Sequence, residues 1–199
     1  EAHAHGILAE HLTENAASAV AQILESKFDL HHSKLIIFCG TGNNGGDGLR
    51  LAYYLKAVHP IVIFVGDREK LSETSKLNYS LIKKKVPIIT VKISQDIDKI
   101  SFQKHLQYIF IDALIGIGIQ GELREPLRRV IDFFNSQQGS KVSLDLPSGL
   151  DPDTGYTTMP YVESDLIVTY HDLKPGLAQF ISKTVVIDIG LPARAHQMK

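Results

Sequence analysis

Short apolar segments alternate with amphipathic segments along most of this 199-residue chain. The apolar segments are nearly continuous over about five residues, as in parallel strands that are covered on both faces. They predict strands at Leu35–Cys39, Ile61–Val65, Ile88–Val91, Tyr108–Asp112, Val142–Asp145, Leu166–Thr169 and Thr184–Ile187. The amphipathic segments predict helices at Ile7–Leu24, Leu49–Val58, Glu73–Lys84, Asp98–Leu106 and Arg124–Asn135. Strands and helices that alternate in this way predict one three-layer α/β domain with a mostly parallel sheet, over residues 1–199.

Composition excludes several classes of function. The 21 basic and 22 acidic residues give a net charge of −1, which would steer neither nucleic acid nor an anionic membrane surface to the chain. No apolar stretch approaches the roughly 20 residues of a membrane span. The single cysteine, Cys39, excludes an internal disulfide and favours a reducing compartment, so we expect a cytoplasmic protein. The chain begins without Met or a signal peptide, which predicts an incomplete or processed N-terminus.

The densest group of glycines directly follows the first predicted strand. Its sequence is Gly40-Thr41-Gly42-Asn43-Asn44-Gly45-Gly46-Asp47-Gly48, and a predicted helix comes next. A strand that passes through glycines into a helix leaves unpaired backbone N–H groups, which suit the phosphates of a nucleotide. The alternative is a simple turn with Asp47 as the helix N-cap. A carboxylate at this position would stabilise the helix dipole but repel a phosphate, so the segment is built for more than an anion.

Polar residues also follow three later strands. Asp112 precedes a second glycine-rich segment that reaches Gly121, and Asp145 precedes Leu-Pro-Ser-Gly. The sixth strand leads toward His171 and Lys174. Parallel strands present their carboxyl ends on one rim of the sheet, where ligands bind near the reversal in strand order. These residues therefore predict one binding site.

These motifs resemble the NAD(P)H-hydrate epimerase family, also known as the YjeF N-terminal domain. The resemblance extends in order from about Gly6 to Pro192. It is carried by the segments 14–17, 42–48, 112–121, 124–126, 144–151, 174–177 and 188–192. The chain departs from the family at Thr13 and Ala17, where the family has Met and Gly, and it starts later than the family's first helical segment.

The resemblance implies a Rossmann-like fold that repairs hydrated nicotinamide nucleotides. Such an enzyme interconverts the R and S forms of NADHX or NADPHX, so that a separate dehydratase acting on the S form can use both. The nucleotide is then the substrate, and no redox cofactor is needed. The resemblance also implies a homodimer, functional coupling to a dehydratase, and a chain that carries only the epimerase half.

The resemblance further implies one K⁺ per subunit, with Asn44, Asp112 and Ser148 as side-chain ligands. Their amide, carboxylate and hydroxyl oxygens suit a hard cation rather than zinc or copper. The implied substrate-binding residues are Asn43, Asn44, Gly45, Gly46, Asp47, Gly116, Ile117, Gly118, Ile119, Gln120, Gly121, Glu122, Asp145 and Lys174.

The chemistry itself requires a proton carrier. The ring nitrogen can expel the hydroxyl at C6 to give a planar iminium, and water can then attack the other face. A carboxyl group whose pKa is raised toward neutrality could protonate the leaving hydroxyl and deprotonate the incoming water. Asp145 is the first candidate for this catalytic role, and Asp47 is the second. Lys174 is either a phosphate partner or a solvated turn residue.

Two other functions are compatible with parts of the sequence. Asp67 follows the glycines by about 20 residues, where a dehydrogenase using NAD would place a ribose-binding acid. A non-catalytic scaffold or dimerisation module is the second alternative, although such a module should have lost the Asn-Asn-Gly-Gly-Asp segment. His171 is a weak further candidate for the site, and Asp151 is expected to stabilise an Asx-turn.

Overall fold

Seven strands and five α-helices make up the fold in the computed structural model, which describes residues 9–116, 123–157 and 160–190. The strands are β1 Lys34–Cys39, β2 Ile61–Val65, β3 Ile88–Val91, β4 Tyr108–Ala113, β5 Ser140–Leu144, β6 Leu166–Tyr170 and β7 Thr184–Ile187. The helices are α1 Ala9–Lys27, α2 Asn43–Tyr54, α3 Glu73–Ile82, α4 Ser94–Ile97 and α5 Leu127–Ser136. Short 3₁₀ segments occupy Lys56–Val58, Arg68–Lys70 and Pro175–Lys183.

The strands form one sheet in the order β3-β2-β1-β4-β5-β6-β7, and each neighbouring pair is parallel. From β1 the chain builds outward through β2 and β3, then returns to the other side of β1 with β4. The strand order therefore reverses between β1 and β4. In open parallel sheets this is where ligands bind, beyond the carboxyl ends of the strands.

Apolar side chains from alternate strand positions form a core on each face of the sheet. On one face, Ile37 and Ile111 belong to the cluster that includes buried residues of α1 and α2. On the other, Phe38 and Phe110 pack with Phe134 of α5. These two cores confirm the predicted three-layer α/β class. None of the helices in the described ranges is long and apolar enough to cross a bilayer.

The predicted helix Asp98–Leu106 is wrong. The helix in this region, α4, is a single turn at Ser94–Ile97, and Asp96 Oδ2 accepts hydrogen bonds from the backbone N–H groups of Lys92 and Ile93. Beyond it, Phe102 packs against the rings of Tyr108 and Phe110, with centroid distances of 5.2 Å in both cases. The segment after α4 is therefore not helical, although its apolar residues are partly buried against the core.

The other predicted elements differ from the observed ones mainly at their ends. Helix α1 ends at Lys27 rather than Leu24, and residues 7 and 8 lie outside the described residues. Helix α5 begins at Leu127 rather than Arg124. Strand β5 ends at Leu144, because Asp145 has a φ of 63° and leaves the strand. The predicted helix Leu49–Val58 begins six residues earlier and ends at Tyr54.

Candidate functional site at the carboxyl ends of the strands

The glycine-rich segment after β1 is mostly helical rather than a loop. Helix α2 begins at Asn43, with Gly42 as its N-cap, so Asp47 lies within the helix and does not cap it. A Cβ atom on Gly45 would overlap the carbonyl oxygen of Gly40, and one on Gly48 would overlap the side chain of Ala113. These glycines therefore bring the start of α2 close to β1 and β4.

Helix α3 supports the start of α2. Ser75 Oγ donates a hydrogen bond to the carbonyl of Gly42 at 2.8 Å, and Asn78 Nδ2 donates one to the carbonyl of Gly46 at 3.0 Å. The first intrahelical bond runs from Gly46 N to Gly42 O, at 3.0 Å. The N–H groups at the start of the helix consequently have no intrahelical acceptor, and they provide a site for an anionic group.

Asp112 is fully buried near the end of β4 and accepts four hydrogen bonds. Its Oδ1 accepts from Leu114 N at 3.1 Å and from Ser148 Oγ at 2.5 Å. Its Oδ2 accepts from Ser148 N and Ser143 Oγ, both at 2.8 Å. Burial raises the pKa of Asp112, and the hydrogen bonds from Ser148, Leu114 and Ser143 oppose that rise. Asp112 thereby ties β4, β5 and the segment after β5 together.

Asn44 is the residue that most clearly lacks a partner. Its Nδ2 and Oδ1 atoms are both buried, and neither has a hydrogen-bond partner in the part of the chain that the structure describes. An unpaired buried polar group costs about 1–3 kcal/mol. A Cβ atom on Gly116 would lie 3.3 Å from Asn44 Cβ and 3.9 Å from Asp145 Oδ2. Gly116 thus lies between Asn44 and Asp145.

The Asn44, Asp112 and Ser148 side chains have the donor chemistry that the predicted K⁺ site needs. Asn44 Oδ1 is free of other bonds among the described residues, which fits a cation ligand. Ser148 Oγ accepts from Ile115 N at 2.9 Å and has two possible acceptors, Asp112 Oδ1 and Ile115 O at 3.0 Å. If the hydroxyl turned to Ile115 O, one position on the Asp112 carboxylate would become available to a cation.

No group of three or more His, Cys, Asp or Glu side chains in the described ranges could hold a metal ion. The candidate cation ligands named above are instead an amide, a single carboxylate and a hydroxyl.

Asp145 and Lys174 form an ion pair at the same rim, with side chains only 15% and 18% exposed. Lys174 Nζ also donates to Thr169 Oγ1 at 2.9 Å and to the carbonyl of Tyr170 at 3.0 Å. All three ammonium donors are therefore used within the chain. Lys174 is neither a solvated turn residue nor free for a phosphate in this structure, and it acts as the partner of Asp145.

Asp47 differs electrostatically from Asp145. Its carboxyl is partly buried, and burial followed by the charge of Asp145 raises its pKa to about 8, against an opposing hydrogen bond from the Thr13 side chain. Asp47 therefore holds a proton at neutral pH, whereas Asp145 is bonded to an ammonium group. Two neighbouring carboxyl groups in different environments are a common arrangement for acid–base chemistry.

Several predicted site residues can be placed, and others cannot. Asn43 is exposed at the start of α2, where its backbone N–H has no intrahelical acceptor. Gly45 and Gly46 are buried in its first turns. The predicted residues Ile117, Gly118, Ile119, Gln120, Gly121 and Glu122 lie outside the described residues, so their substrate-binding role stays a prediction.

The remaining polar residues considered from the sequence, Asp67, Asp151 and His171, can also be placed in the structure. Asp67, the candidate ribose ligand of a dehydrogenase, accepts a hydrogen bond from Lys92 Nζ at 3.1 Å. Asp151 Oδ1 accepts from the N–H groups of Asp153 at 3.0 Å and Thr154 at 2.8 Å, which confirms the Asx-turn. His171 has a φ of 64° and lies 3.9 Å from Asp172 through Nε2.

Sequence reasoning missed four residues at this site: Thr13, Ser143, Thr169 and Tyr170. Ser143 and Thr169 are fully buried polar side chains. Thr169 interrupts the apolar run of β6, and that interruption was a usable signal. Thr13 gave no such signal, because it lies in α1, far from Asp47 in sequence.

We then compared the chain with known protein families. The family model described as the YjeF-related protein N-terminus matches residues 9–176. The chain belongs to this family. The match covers β1 to β6, α1 to α5 and the residues of the candidate site named above.

Two curated relatives of the YjeF-related family illustrate how this domain occurs. The chain is 32% identical over 202 residues to the NAD(P)H-hydrate epimerase of Nitrosopumilus maritimus, covering 98% of this chain and 92% of that protein. It is 34% identical over 192 residues to the bifunctional NAD(P)H-hydrate repair enzyme Nnr of Pyrobaculum aerophilum. That match covers 93% of this chain but only 38% of the bifunctional protein, so the chain spans well under half of that relative.

A solved structure supports the fold assignment. The crystal structure of yeast ynu0 resembles this chain with a TM-score of 0.71 and 26% sequence identity. The similarity covers 91% of this chain and 77% of the yeast chain. The fold of this chain is thus similar to an experimentally determined one.

Proposed function

We propose that this member of the YjeF-related family is an NAD(P)H-hydrate epimerase, an isomerase that interconverts the R and S forms of NADHX and NADPHX. The observation that carries the proposal is the pair of neighbouring carboxyl groups, Asp47 with a raised pKa and Asp145 bonded to Lys174. Asp47 lies in the second turn of α2, which follows β1, and Asp145 follows β5 at the same edge of the sheet. The names of the two curated relatives support the same function.

The start of α2 would bind the phosphates of the nucleotide. Free N–H groups and the positive end of the helix dipole favour an anion there. Asn44, Asp112 and Ser148 would hold K⁺ through their oxygens. When bound, K⁺ would add positive charge near the phosphates. Asp112, which already accepts four hydrogen bonds, would keep the cation ligands in place.

The first chemical step breaks the C6–O bond of the substrate. The ring nitrogen supplies the electron pair, and the oxygen takes a proton and leaves as water. We assign this proton to Asp47 rather than Asp145, because Asp47 is the group whose pKa of about 8 keeps it protonated at neutral pH. From the sequence, Asp145 was the first candidate and Asp47 the second; this assignment reverses that order.

The second step adds water to the opposite face of the planar iminium. The incoming water forms the new C6–O bond and returns a proton to Asp47, so no atom or electron is gained or lost overall. The Asp145 carboxylate would stabilise the positive charge of the iminium. Lys174 would act as a positioning residue, because it holds Asp145 on the rim through their ion pair.

A coupled assay tests the proposal. A dehydratase that acts only on the S form should consume part of a mixed R and S preparation and then slow to the uncatalysed rate. With this protein added, we expect the R fraction to be consumed as well. No change on addition would exclude the epimerase function and favour the scaffold alternative.

A further inference from the structure

Tyr170 has a feature that the proposed mechanism does not use. Its Oη atom is buried and has no hydrogen-bond partner within residues 9–116, 123–157 and 160–190. Two other tyrosine hydroxyls have partners: Tyr54 Oη lies 3.1 Å from Ser18 Oγ, and Tyr108 Oη accepts from Gln103 N at 3.0 Å. A buried tyrosine hydroxyl normally finds a partner. The unpaired Oη of Tyr170 therefore needs an explanation.

The backbone of Tyr170 is held at the site by two hydrogen bonds. Its N–H donates to Asp145 Oδ1 at 3.3 Å, and its carbonyl accepts from Lys174 Nζ at 3.0 Å. The residue is the last one of β6, on the rim where the other site residues lie. Asp145 and Lys174 thus hold the backbone of Tyr170 in place.

The side chain of Tyr170 is directed to the same face of the sheet as α2. Successive residues of a strand point to opposite faces. Thr169 bonds to Asp145 on one side, and the Tyr170 ring packs against the core cluster that contains residues of α1 and α2 on the other. Asp47 belongs to α2. The Tyr170 ring and the proposed proton carrier accordingly lie on the same side of the sheet.

Electrostatics supports this proximity. Burial and then the charges of Asp47 and Asp145 raise the pKa of Tyr170. The phenol consequently remains a neutral hydrogen-bond donor at any pH at which the enzyme would work. A phenylalanine could fill the same apolar space without burying an unpaired hydroxyl, so packing alone does not account for the oxygen.

We infer that Tyr170 is a further catalytic residue, whose hydroxyl donates a hydrogen bond to the oxygen that leaves C6 of the substrate. This oxygen would then contact two residues. Asp47 would donate the proton to it, and Tyr170 would hold it in position through the hydrogen bond. A bound water or hydroxyl needs two or more polar partners, and these two residues provide them. The inference rests on the proposed epimerase function and deepens it.

The experiment compares Tyr170→Phe with the wild type in the R-to-S conversion of NADHX, followed together with thermal unfolding. The variant removes one oxygen and leaves the ring. We expect kcat to fall by about 10–100-fold with little change in KM, because the hydrogen bond strengthens as the oxygen takes on charge. The melting temperature should be unchanged or higher, since an unpaired buried hydroxyl is lost.

Tyr79→Phe is the matched control. Tyr79 also packs against the same core cluster, with its ring edge-on to Phe64 at 5.6 Å, and it lies in α3. Its kcat should stay within twofold of wild type. A normal kcat in Tyr170→Phe would overturn the inference and leave the epimerase function standing. A loss of kcat that accompanies a lower melting temperature would make the hydroxyl structural and overturn it too. A wild-type protein that does not accelerate the conversion would overturn both.

Discussion

The ammonium of Lys174 and the carboxylate of Asp145 form an ion pair between residues that are 29 positions apart in sequence. Both side chains are largely shielded from solvent, so removing one leaves the other poorly solvated. We expect Lys174→Met to lower the free energy of unfolding by about 1–2 kcal/mol, less than for a fully buried pair because some solvent reaches this one. Chemical denaturation would measure the change.

The control is Lys76→Met, which removes an exposed ion pair with Glu73 within α3. Exposed pairs of this kind contribute little, so its effect should stay within about 0.5 kcal/mol. Equal effects of the two substitutions would mean that the Asp145–Lys174 pair adds no more stability than a surface pair.

Asp47 and Asp145 should have separable effects on the pH dependence of epimerisation. With a pKa of about 8, Asp47 loses its proton as the pH rises, so the wild-type kcat should decline above about pH 8. Asp47→Asn should reduce kcat by about 10²–10⁴-fold and abolish that decline. Asp145→Asn should fold, bind the nucleotide and react slowly. It should keep the decline but at a lower pH, because the charge that helps to raise the pKa of Asp47 is gone.

The pH profiles of the two variants distinguish the proton carriers. If the decline persists in Asp47→Asn and disappears in Asp145→Asn, Asp145 carries the proton, as the sequence favoured. If neither substitution slows the reaction, neither aspartate is an acid–base catalyst.

The positions of most strands could be predicted from sequence, but the relations between site residues could not. Continuous apolar runs located β1 to β7 to within a few residues. The start of α2 was missed because Gly and Asn are poor helix formers, whereas close contacts such as that between Gly48 and Ala113 require glycine in a helix there. The Asp145–Lys174 pair and the Thr13–Asp47 hydrogen bond join segments that are distant in sequence, so no local sequence pattern predicts them.

The proposed K⁺ site should be detectable without any enzymatic assay. A ligand that binds only the folded state raises its stability. We expect wild-type protein to melt at a higher temperature in KCl than in choline chloride at the same concentration. Asn44→Ala should remove this difference, because it deletes the one ligand oxygen without another partner among the described residues. Asp112→Ala should remove it as well and weaken nucleotide binding.

Asn78→Ala is the control for the cation experiment. Asn78 is also a buried asparagine, but it bonds to the carbonyl of Gly46 rather than facing the candidate site. Its melting temperature should fall in both salts, and the difference between the salts should remain. An Asn44→Ala variant that keeps the full difference would show that Asn44 is not a K⁺ ligand.

A homodimer remains a prediction from the family resemblance. Ala16, Ala17 and Ala21 of α1 are buried within the chain itself, so these three provide no free surface for a partner. Light scattering at tens of micromolar should give about twice the chain mass of 22.0 kDa. A mass near that of one chain would contradict the prediction.

Epimerase activity itself can be measured by proton NMR of purified R-NADHX. The spectrum distinguishes the two epimers, so the appearance of the S form can be followed with and without the protein in the same buffer. We predict that the rate rises in proportion to protein concentration and that the final R-to-S ratio is unchanged, as catalysis requires. If the S form appears no faster with the protein than without it, the protein is not an NAD(P)H-hydrate epimerase.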